Sequence, residues 1–568
     1  MKKVLILTTS NEFKNNKKHF YPYVGFTKKS LKTNSYNLDA FTRKNKIKIY
    51  KDCQKIYLSI LDDIYKNLND LHKIKWSKRS WEIYLGHWLR RYVYICYNKV
   101  YLIEKILKNE KIEKIIVSDN AKYPLATKES LAIYDACKNT SWESIIFSRI
   151  ANEYKSFFKV IFSKKKIEPN LKIKTTYEKS TFNKLSKSKK CLFFLLNRFC
   201  TFFKKNNDIL VIGSYLNSIN EIFFYFKKKQ FPQLWIPKQV HYPSKLSISE
   251  RTKLDFKKTN ISLVEKIVRT SLETSLPISC VEGFHAVQQA TKLMNFPKNP
   301  KKIYTTQNFD SDEIFKMHLA NCINNHSSQY YIGQHGNNYF TKLDFTYAIE
   351  YRTCDYFISW GKNNFKKTIP TCNFRVIKPI KRKNIFLSIL CRRERNSWEP
   401  VARRIEIEND LQIVKKLIDF LPTPIKQKIV IKLRSSHKNS LHFKKKKIKI
   451  NNDIPFIDLM KKTKIAFFNY DCTGFLENLN LDIPTIACWP DLFGHLHPKA
   501  LADYKRLVDA KIIFKSPSDA AKHISQNWNN IDEWWSSKKV KSTVNFFKSK
   551  YSKDSFDYNF VNKLSDIL

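Results

Sequence analysis

The sequence lacks the cysteine patterns of metal-binding and redox proteins. It contains 12 cysteines, but they are scattered and no two of them form a Cys-x-x-Cys pair, so the sequence indicates neither a zinc site nor a redox pair. We expect reduced, mostly buried thiols in a reducing compartment. Glycine is also scarce, with 9 residues in a chain of 568. In a chain with so few glycines, a turn that contains two of them is a candidate functional site.

Long hydrophobic runs are absent as well. The N-terminus, MKKVLILTTSNEF, has four consecutive apolar residues, whereas a secretory signal needs roughly 7–15, so we expect a first β-strand there. No apolar run reaches the roughly 20 residues that span a bilayer. The nearest candidate, CLFFLLNRFCTFF at 191–203, is interrupted by Asn197 and Arg198 and flanked by lysines. Such a stretch is typical either of a segment in the membrane interface or of a buried core helix.

Acidic residues are few relative to basic ones. The chain has 50 Asp and Glu against 104 Lys and Arg, a formal net charge of +54. A charge of this size attracts phosphate polyanions: nucleic acid, anionic lipid headgroups or nucleotide-linked substrates. The excess is mostly Lys spread along the chain, which compositional bias also produces. The part of the positive charge that compositional bias does not explain favours binding to an anionic membrane surface. Each nearby cation contributes about 1 kcal/mol to such binding. We expect a cytoplasmic protein, peripheral at the inner face of the plasma membrane.

Short apolar runs alternate with helix-like segments along most of the chain. Apolar runs such as 4–9, 112–119 and 208–215 lead into segments whose apolar residues have helical spacing, most clearly in 54–109. This alternation predicts parallel sheets. The last block, 383–514, has the βαβ order of a nucleotide-binding Rossmann domain.

The predicted fold class is therefore α/β, with two Rossmann-like domains, a helical N-terminal elaboration and a helical C-terminal tail. Residues 1–375 are predicted to form the N-terminal domain, with an inserted basic segment near 155–207. Residues 376–535 are predicted to form the nucleotide-binding domain, and 536–568 a tail that packs back on the first domain. In open α/β sheets the ligand lies outside the carboxyl ends of the strands, so the residues after each apolar run are the candidate site.

One strand end carries the most distinctive local motif, YIGQHG at 331–336. Gly333 and Gly336 flank the turn around His335 and allow the backbone to approach a ligand closely. Because imidazole titrates near neutral pH, His335 is a candidate general base for an acceptor hydroxyl, or a hydrogen-bond donor to a phosphate. The structural alternative is a histidine that fixes a tight turn. Gln334 and Gly336 are candidates to bind the ligand beside it.

The block TTQNFDSDEIF at 305–315 follows a predicted strand and opens a helix. Asp310 and Ser311 suit the N-cap, and Asp312 and Glu313 suit the first helical turn. Asp310 or Glu313 could instead act as a carboxylate base or orient His335. The triplet Asp310-Ser311-Asp312 has the Asp-x-Asp form that holds metal in GT-A enzymes, but helix capping explains it equally well. The sequence therefore predicts no metal site.

Three arginines follow strands in the last block: Arg392, Arg393 and Arg434. In a chain whose cations are mostly Lys, an Arg at a strand end carries more information than a Lys. These guanidinium groups are candidates to bind a diphosphate bidentately and to stabilise the charge of a leaving group. The alternative is a surface Arg that lies over the strand end.

The most specific segment is NYDCTGFLENLNLDIPTIACW at 469–489. Its predicted strand ends at Asn469, and the turn Thr473-Gly474 begins a helix whose N-terminal amides can face a phosphate. Glu477 follows one turn later. Its carboxylate can bind ribose hydroxyls, or it can simply favour the N-terminal end of the helix.

This segment resembles the donor-binding half of GT-B glycosyltransferases. Several blocks in a fixed order extend the resemblance over nearly the whole chain except 155–207: LGHWL (85–89), IYTTQNFDSDEIFK (303–316), IGQHGNNY (332–339), ISWG (358–361), FLENLNLDIPTIACW (475–489) and Trp534-Trp535. Together they are similar to the transferase family encoded in lipopolysaccharide and other surface-carbohydrate loci. His87 in LGHWL departs from the expected pattern, so we assign it no role.

The resemblance implies a GT-B-like, metal-independent glycosyltransferase. It would move a sugar from a nucleotide-sugar donor, bound by the C-terminal domain, to a lipid-linked or polysaccharide acceptor of lipopolysaccharide or capsule on the N-terminal domain. The nucleotide-sugar is a co-substrate, and no further cofactor is expected. The site positions that the resemblance carries over are Gln334, His335, Gly336, Asp310, Glu313, Thr473, Gly474 and Glu477.

Two other functions fit parts of the sequence. A polyol-phosphate transferase of the teichoic-acid type would use the same fold and phosphate-binding groups. A non-catalytic nucleic-acid-binding protein would account for the net charge, and its affinity would fall steeply with salt. The sequence shows no zinc finger, RNP-like aromatic strand or localised basic arm, which argues against the second.

Overall fold

A computed structural model describes most of the chain. The described residues are 3–7, 19–22, 35–36, 42–118, 121–163, 169, 171, 173–326, 328–375, 380–391, 412–432, 443, 448–451, 454–489, 494–555 and 560–568.

The helices of this part of the chain include two long ones near the start and many shorter ones. They are Arg43–His72, Lys78–Asn109, Ile133–Ala136, Thr140–Glu153, Thr176–Lys179, Lys187–Phe202, Ser218–Lys227, Ile248–Arg251, Leu263–Ser275, Phe284–Lys292, Asn308–Ser311, Glu313–Asn324, Ile349–Thr353, 412–420, Thr423–Lys426, Phe456–Met460, Thr473–Asn480, Leu501–Asp509, Pro517–Gln526, Ile531–Ser536, Lys538–Tyr551 and Phe560–Ile567.

The first sheet is parallel and has the order β3-β2-β1-β4-β5. Its strands are β1 (Lys3–Ile6), β2 (His19–Pro22), β3 (Ser35–Tyr36), β4 (Ile112–Ser118) and β5 (Lys159–Ser163). The outward order from β1 reverses between β1 and β4, as in a doubly wound fold. Strand β5 begins inside the region predicted as an inserted segment, because KVIFS at 159–163 pairs with β4.

The second sheet is also parallel, and its strands follow in chain order. They are β6 (Leu210–Ile212), β7 (Lys302–Thr305), β8 (Gln329–Gly333), β9 (Tyr356–Ser359) and β10 (Thr368–Pro370). Residues 1–375, predicted as one Rossmann-like domain, thus contain two separate sheets.

The third sheet has six parallel strands in the order β13-β12-β11-β14-β15-β16. They are β11 (Phe386–Leu390), β12 (Ile429–Lys432), β13 (Lys449–Ile450), β14 (Thr463–Phe468), β15 (Thr485–Cys488) and β16 (Ile513–Phe514). This is the 3-2-1-4-5-6 order of a Rossmann fold, in which the ligand binds where the order reverses. The predicted α/β class with parallel sheets is confirmed.

The long helix Lys78–Asn109 lies at the centre of the N-terminal half. Ser77 caps it, and 21 of its 32 residues are buried, so it is enclosed on most sides, as expected of a core helix. It packs against helices Arg43–His72, Leu263–Ser275 and Glu313–Asn324. Polar side chains on this helix are therefore held in fixed positions by the core around it.

The C-terminal tail contacts the second sheet. The backbone of Lys362 donates to the Ser549 carbonyl at 2.9 Å, and Lys553 donates to the Trp360 carbonyl at 2.7 Å. The last helix, Phe560–Ile567, packs on helix Ser218–Lys227. A Cβ on Gly361 would lie 2.3 Å from the Lys550 carbonyl oxygen, so glycine permits this close approach of the tail.

Helix Lys187–Phe202 contains the aromatic run singled out in the sequence. It has no buried residue, which excludes the alternative of a buried core helix. Among the described residues, no helix is both long and apolar enough to cross a membrane.

Candidate functional site

A hydrogen-bonded chain starts at His335, just after β8. The Tyr339 hydroxyl lies 3.0 Å from His335 Nδ1 and donates to Glu350 Oε1 at 2.8 Å. Since the hydroxyl has a single hydrogen and gives it to Glu350, Nδ1 must carry the hydrogen of the contact with Tyr339. The lone pair of the neutral ring is then on Nε2. This is the tautomer that a general base needs, fixed by a phenol and a carboxylate behind it.

His87, on the central helix, lies near Glu350 and Asp310, but at distances longer than a hydrogen bond. Its Nε2 lies 3.8 Å from Glu350 Oε2, and its Nδ1 lies 3.9 Å from Asp310 Oδ1. Arg91 donates to both oxygens of Asp310, at 2.8 and 2.5 Å. The ring of Phe309 contacts both histidines, with ring centroids 5.3 Å apart for His87 and 5.6 Å apart for His335.

Gly86 explains how the helix comes this close. A Cβ at this position would lie 2.8 Å from the Tyr57 hydroxyl and 3.0 Å from the Ile349 side chain. Without a side chain, helix Lys78–Asn109 approaches the segment that carries Glu350, and His87 is placed beside that carboxylate.

Burial sets the charge state of these groups. Burial lowers the pKa of His87 to about 4, although Asp310 and Glu350 oppose this, and it also lowers the pKa of His335. Both rings are therefore neutral at neutral pH. Burial by itself would raise the pKa of Asp310, but the Arg91 guanidinium outweighs it and holds the pKa well below its usual range. Asp310 is a fixed anion and a poor proton acceptor.

The loop after His335 joins the second sheet to the third. The backbone N–H of Asn337 donates to Thr473 Oγ1 at 3.0 Å. The side-chain amide of Asn337 donates to Asp471 and to the Cys472 carbonyl. A Cβ on Gly336 would lie 2.9 Å from Thr473 Oγ1. The backbone of this loop has positive φ at Asn338, 77°, a conformation that Asn adopts more readily than most residues.

Asp471 anchors the other side of this contact. It accepts from the Tyr504 hydroxyl at 2.7 Å and lies 3.3 Å from His495 Nε2. The backbone of Leu343 donates to the His495 carbonyl at 2.9 Å. The carboxyl end of β14 is thus held against the carboxyl end of β8.

Arg375, after β10, contacts the segments that follow strand ends of both the second and the third sheet, and we call the region between these segments the crevice. Its Nε lies 2.9 Å from Glu477 Oε1, and its guanidinium donates to the His335 carbonyl at 3.5 Å. The guanidinium also lies over the ring of Tyr215, 5.1 Å from its centroid. Tyr215 follows β6 with φ of 61°. Burial raises the pKa of Glu477, and Arg375 opposes this rise.

The other predicted residues have varied positions. Gln334 is buried and links the loop to β9, since it accepts from the Trp360 amide at 2.8 Å and donates to the Gly336 carbonyl at 3.0 Å. Glu313 accepts from Ser130 and Lys316 in a separate buried cluster. Asn469 is buried at the end of β14, and Gly474 lies in the first turn of helix Thr473–Asn480. Arg392, Arg393 and Arg434 lie outside the described residues.

The sequence comparison assigns the family. Residues 3–563 match the LIC12162 family of transferases. The chain belongs to this family. It is therefore a transferase, as the sequence predicted. A search of curated protein sequences gives no match.

Three matches among solved structures are distant. The wall teichoic acid polymerase TagF is 10% identical, covering 67% of this chain and 94% of TagF, with a TM-score of 0.32. The spinosyn rhamnosyltransferase SpnG is 8% identical, covering 80% of this chain and all of the SpnG chain, with a TM-score of 0.30. SpnG in complex with the spinosyn aglycone is 7% identical, covering 77% of this chain and 95% of the SpnG chain, with a TM-score of 0.28. The roles of the site residues in this transferase therefore rest on its own geometry.

The sequence did not predict several residues of the candidate site. His87, Arg90 and Arg91 lie on a core helix and not at a strand end. Arg375 does follow a strand, β10, but the sequence interpretation gives it no role. The criterion that selected Arg392, an Arg after a strand in a Lys-rich chain, applies to Arg375 but not to Arg90 or Arg91. Arg90 donates to Asp344 at 2.8 Å beside the same loop. No signal in one sequence points to Glu350, because only the fold brings it to Tyr339.

The described part of the transferase contains no group of three or more His, Cys, Asp or Glu side chains with the spacing of a metal site. The residues in the crevice instead offer a guanidinium, a helix N-terminus and a neutral imidazole. These groups suit a phosphate-bearing substrate and a proton transfer.

We expect Asp310→Asn to destabilise the protein strongly. The change leaves the buried Arg91 guanidinium, whose side chain is 7% exposed, without its anionic partner, which costs about 3–5 kcal/mol. Thermal unfolding would show a midpoint several degrees lower. The double variant Arg91→Gln with Asp310→Asn should lose less than the sum of the two single changes; additive losses would contradict a direct pair.

Proposed function

We propose that this transferase moves a sugar from a nucleotide-sugar donor to an acceptor used in surface-polysaccharide assembly, lipopolysaccharide or capsule. The observation that carries the proposal is the position of Arg375 between Glu477 on the third sheet and the His335 carbonyl on the second. A cation, a helix N-terminus and a candidate base thereby share one crevice at the carboxyl ends of two parallel sheets, where α/β folds bind ligands.

The third sheet supplies the donor side of the proposed reaction. Its strand order places the reversal between β11 and β14, and helix Thr473–Asn480 begins directly after β14. The amides of its first turn and the Arg375 guanidinium would hold the donor diphosphate. Glu477, one turn into the helix, would accept hydrogen bonds from ribose hydroxyls.

The second sheet supplies the acceptor side. His335 Nε2 would accept the proton of the acceptor hydroxyl as that oxygen bonds to the anomeric carbon of the sugar. The bond between that carbon and the donor phosphate oxygen breaks, and the nucleotide leaves as a phosphate whose charge Arg375 stabilises. Tyr339 and Glu350 would stabilise the imidazolium that forms. Asp310 and His87 are proposed as positioning residues that hold Glu350 in place.

We place the reaction at the inner face of the plasma membrane, on a lipid-linked or polysaccharide acceptor. The net charge of +54 supports attraction to anionic lipid. The resemblance to transferases of surface-carbohydrate loci supports this class of acceptor.

The test of the proposed function is a thermal-shift screen with UDP, GDP, CMP and CDP, followed by hydrolysis or transfer assays with the sugar donors of the nucleotide that binds. We expect at least one nucleotide to raise the unfolding midpoint, and Arg375→Ala to abolish that shift. If none of the nucleotides changes the midpoint of the wild type, the donor class is wrong. A shift that Arg375→Ala leaves unchanged would place the nucleotide elsewhere.

A further inference from the structure

Helix Lys187–Phe202 exposes an apolar stripe that the described part of the chain leaves largely uncovered. Leu192, Leu195, Phe199 and Phe202 are spaced at three and four residues, so they lie on one face. Their exposed fractions are 56, 62, 57 and 84%. Contiguous apolar patches of this kind are rare on soluble proteins and mark interaction sites.

The helix packs only partly on the body of the protein, since none of its residues is buried. An apolar groove of about 440 Å³ lies beside it, with Phe194, Leu210, Trp235 and Phe296 among its lining residues. The helix end packs on the body of the protein: the Lys204 ammonium donates to the Phe296 carbonyl at 3.0 Å, and Phe231 lies 4.5 Å from the Phe203 ring and 5.9 Å from the Phe199 ring. Each of the four stripe side chains still has more than half of its surface exposed to a partner.

The charges around the stripe select the partner. Between 180 and 207 the sequence has seven basic residues and no acidic one: Lys184, Lys187, Lys189, Lys190, Arg198, Lys204 and Lys205. Aromatic and leucine side chains on one helix face, with lysines beside them, are the composition of helices that lie in the plane of a membrane interface. A neutral partner would leave this concentration of positive charge uncompensated.

We propose that helix Lys187–Phe202 docks the protein on an anionic lipid bilayer, with Leu192, Leu195, Phe199 and Phe202 inserted at the level of the headgroups and the lysines bound to lipid phosphates. The helix precedes β6, whose carboxyl end leads to Tyr215 in the crevice. The membrane-docking helix is therefore followed along the chain by β6, a strand that leads into the candidate site. The inference deepens the membrane location that we propose for the transferase, but it does not depend on the transfer chemistry.

The test is cosedimentation of the full chain with vesicles of phosphatidylglycerol and phosphatidylcholine, and with phosphatidylcholine alone. We expect binding that requires phosphatidylglycerol and weakens with salt. The double variant Leu195→Asp with Phe202→Asp should reduce binding at least about ten-fold, because both side chains would have to enter the interface. Phe157→Asp is the matched control: Phe157 is 78% exposed but lies outside the helix, and this variant should bind like the wild type.

Three outcomes would overturn the inference. The wild type could fail to bind anionic vesicles, or the double variant could bind as well as Phe157→Asp. In the third outcome, the wild type is a dimer that does not bind vesicles, whereas the double variant is a monomer. The stripe would then be a contact between two copies of the chain. Because vesicle binding is measured without donor or acceptor, a failure here leaves the nucleotide screen unaffected. A failure of the nucleotide screen likewise leaves this result standing.

Discussion

Replacement of His335 by Gln is expected to lower kcat by about 10²–10⁴-fold, the contribution of a positioned general base, while the protein stays folded. The Gln side chain is polar and similar in size, but it cannot accept a proton at neutral pH. The acidic limb of the pH profile gives a second readout. Burial lowers the pKa of His335, and a base must be neutral, so the wild-type rate should fall only as pH drops through this lowered pKa, below the usual value of about 6.5. Above it, the rate should be constant.

Tyr339→Phe separates a positioned base from a structural histidine. The phenol links Nδ1 to Glu350 and thereby stabilises the imidazolium. Its loss should reduce kcat by less than His335→Gln does and should move the acidic limb to lower pH. Tyr351→Phe is the control, because Tyr351 lies on the same short helix as Glu350 but its hydroxyl donates to the Lys366 carbonyl at 2.8 Å. Full activity in His335→Gln, or equal pH profiles in Tyr339→Phe and the wild type, would remove His335 from the mechanism.

Arg375→Ala is expected to lower kcat/KM for the donor by about 10²–10³-fold, as the loss of one group that stabilises transition-state charge does. A nucleoside diphosphate should bind less tightly for the same reason. Arg382→Ala is the control, since Arg382 pairs with Asp532 at 2.7 Å and not with a residue of the crevice. Steady-state kinetics with varied donor, and the Kd of the nucleotide that emerges from the thermal-shift screen, measure both effects.

The Arg375 result has two possible causes, which Glu477→Gln distinguishes. Glu477 is buried and paired with Arg375, so removal of the cation alone leaves a buried carboxylate whose pKa must rise. If Arg375 only neutralises Glu477, the double variant Arg375→Ala with Glu477→Gln should recover activity. If the guanidinium binds the donor phosphate, as proposed, the double variant stays as inactive as Arg375→Ala. Recovery in the double variant would therefore contradict the proposed phosphate contact.

The aromatic segment at 191–203 shows what composition leaves open. The sequence was compatible with an interfacial helix or a buried core helix, since both need apolar residues at helical spacing. Burial is a property of what surrounds the helix, and the structure leaves every residue of Lys187–Phe202 unburied. The distinction depends on which parts of the fold lie next to the helix, which sequence spacing does not encode.

The sequence by itself determined the local elements and the edge of the sheet at which to look. Apolar runs predicted β7, β8 and β14 because a buried parallel strand is apolar on both faces, and the strand-end rule led to His335, Asp310 and Glu477. It also determined the turn Thr473-Gly474, since the predicted helix start at Thr473 is the observed one.

Only the tertiary structure decided which of these side chains meet. The fold pairs Asp310 with Arg91, 219 residues away in sequence, and that guanidinium turns a candidate base into a fixed anion. It places Glu313 beside Ser130, away from His335, and brings Arg375 to Glu477. The physical reason is that a carboxylate or imidazole takes its charge and tautomer from desolvation and from partners on other elements. Local sequence patterns specify strands and helices, but not the distances between their ends.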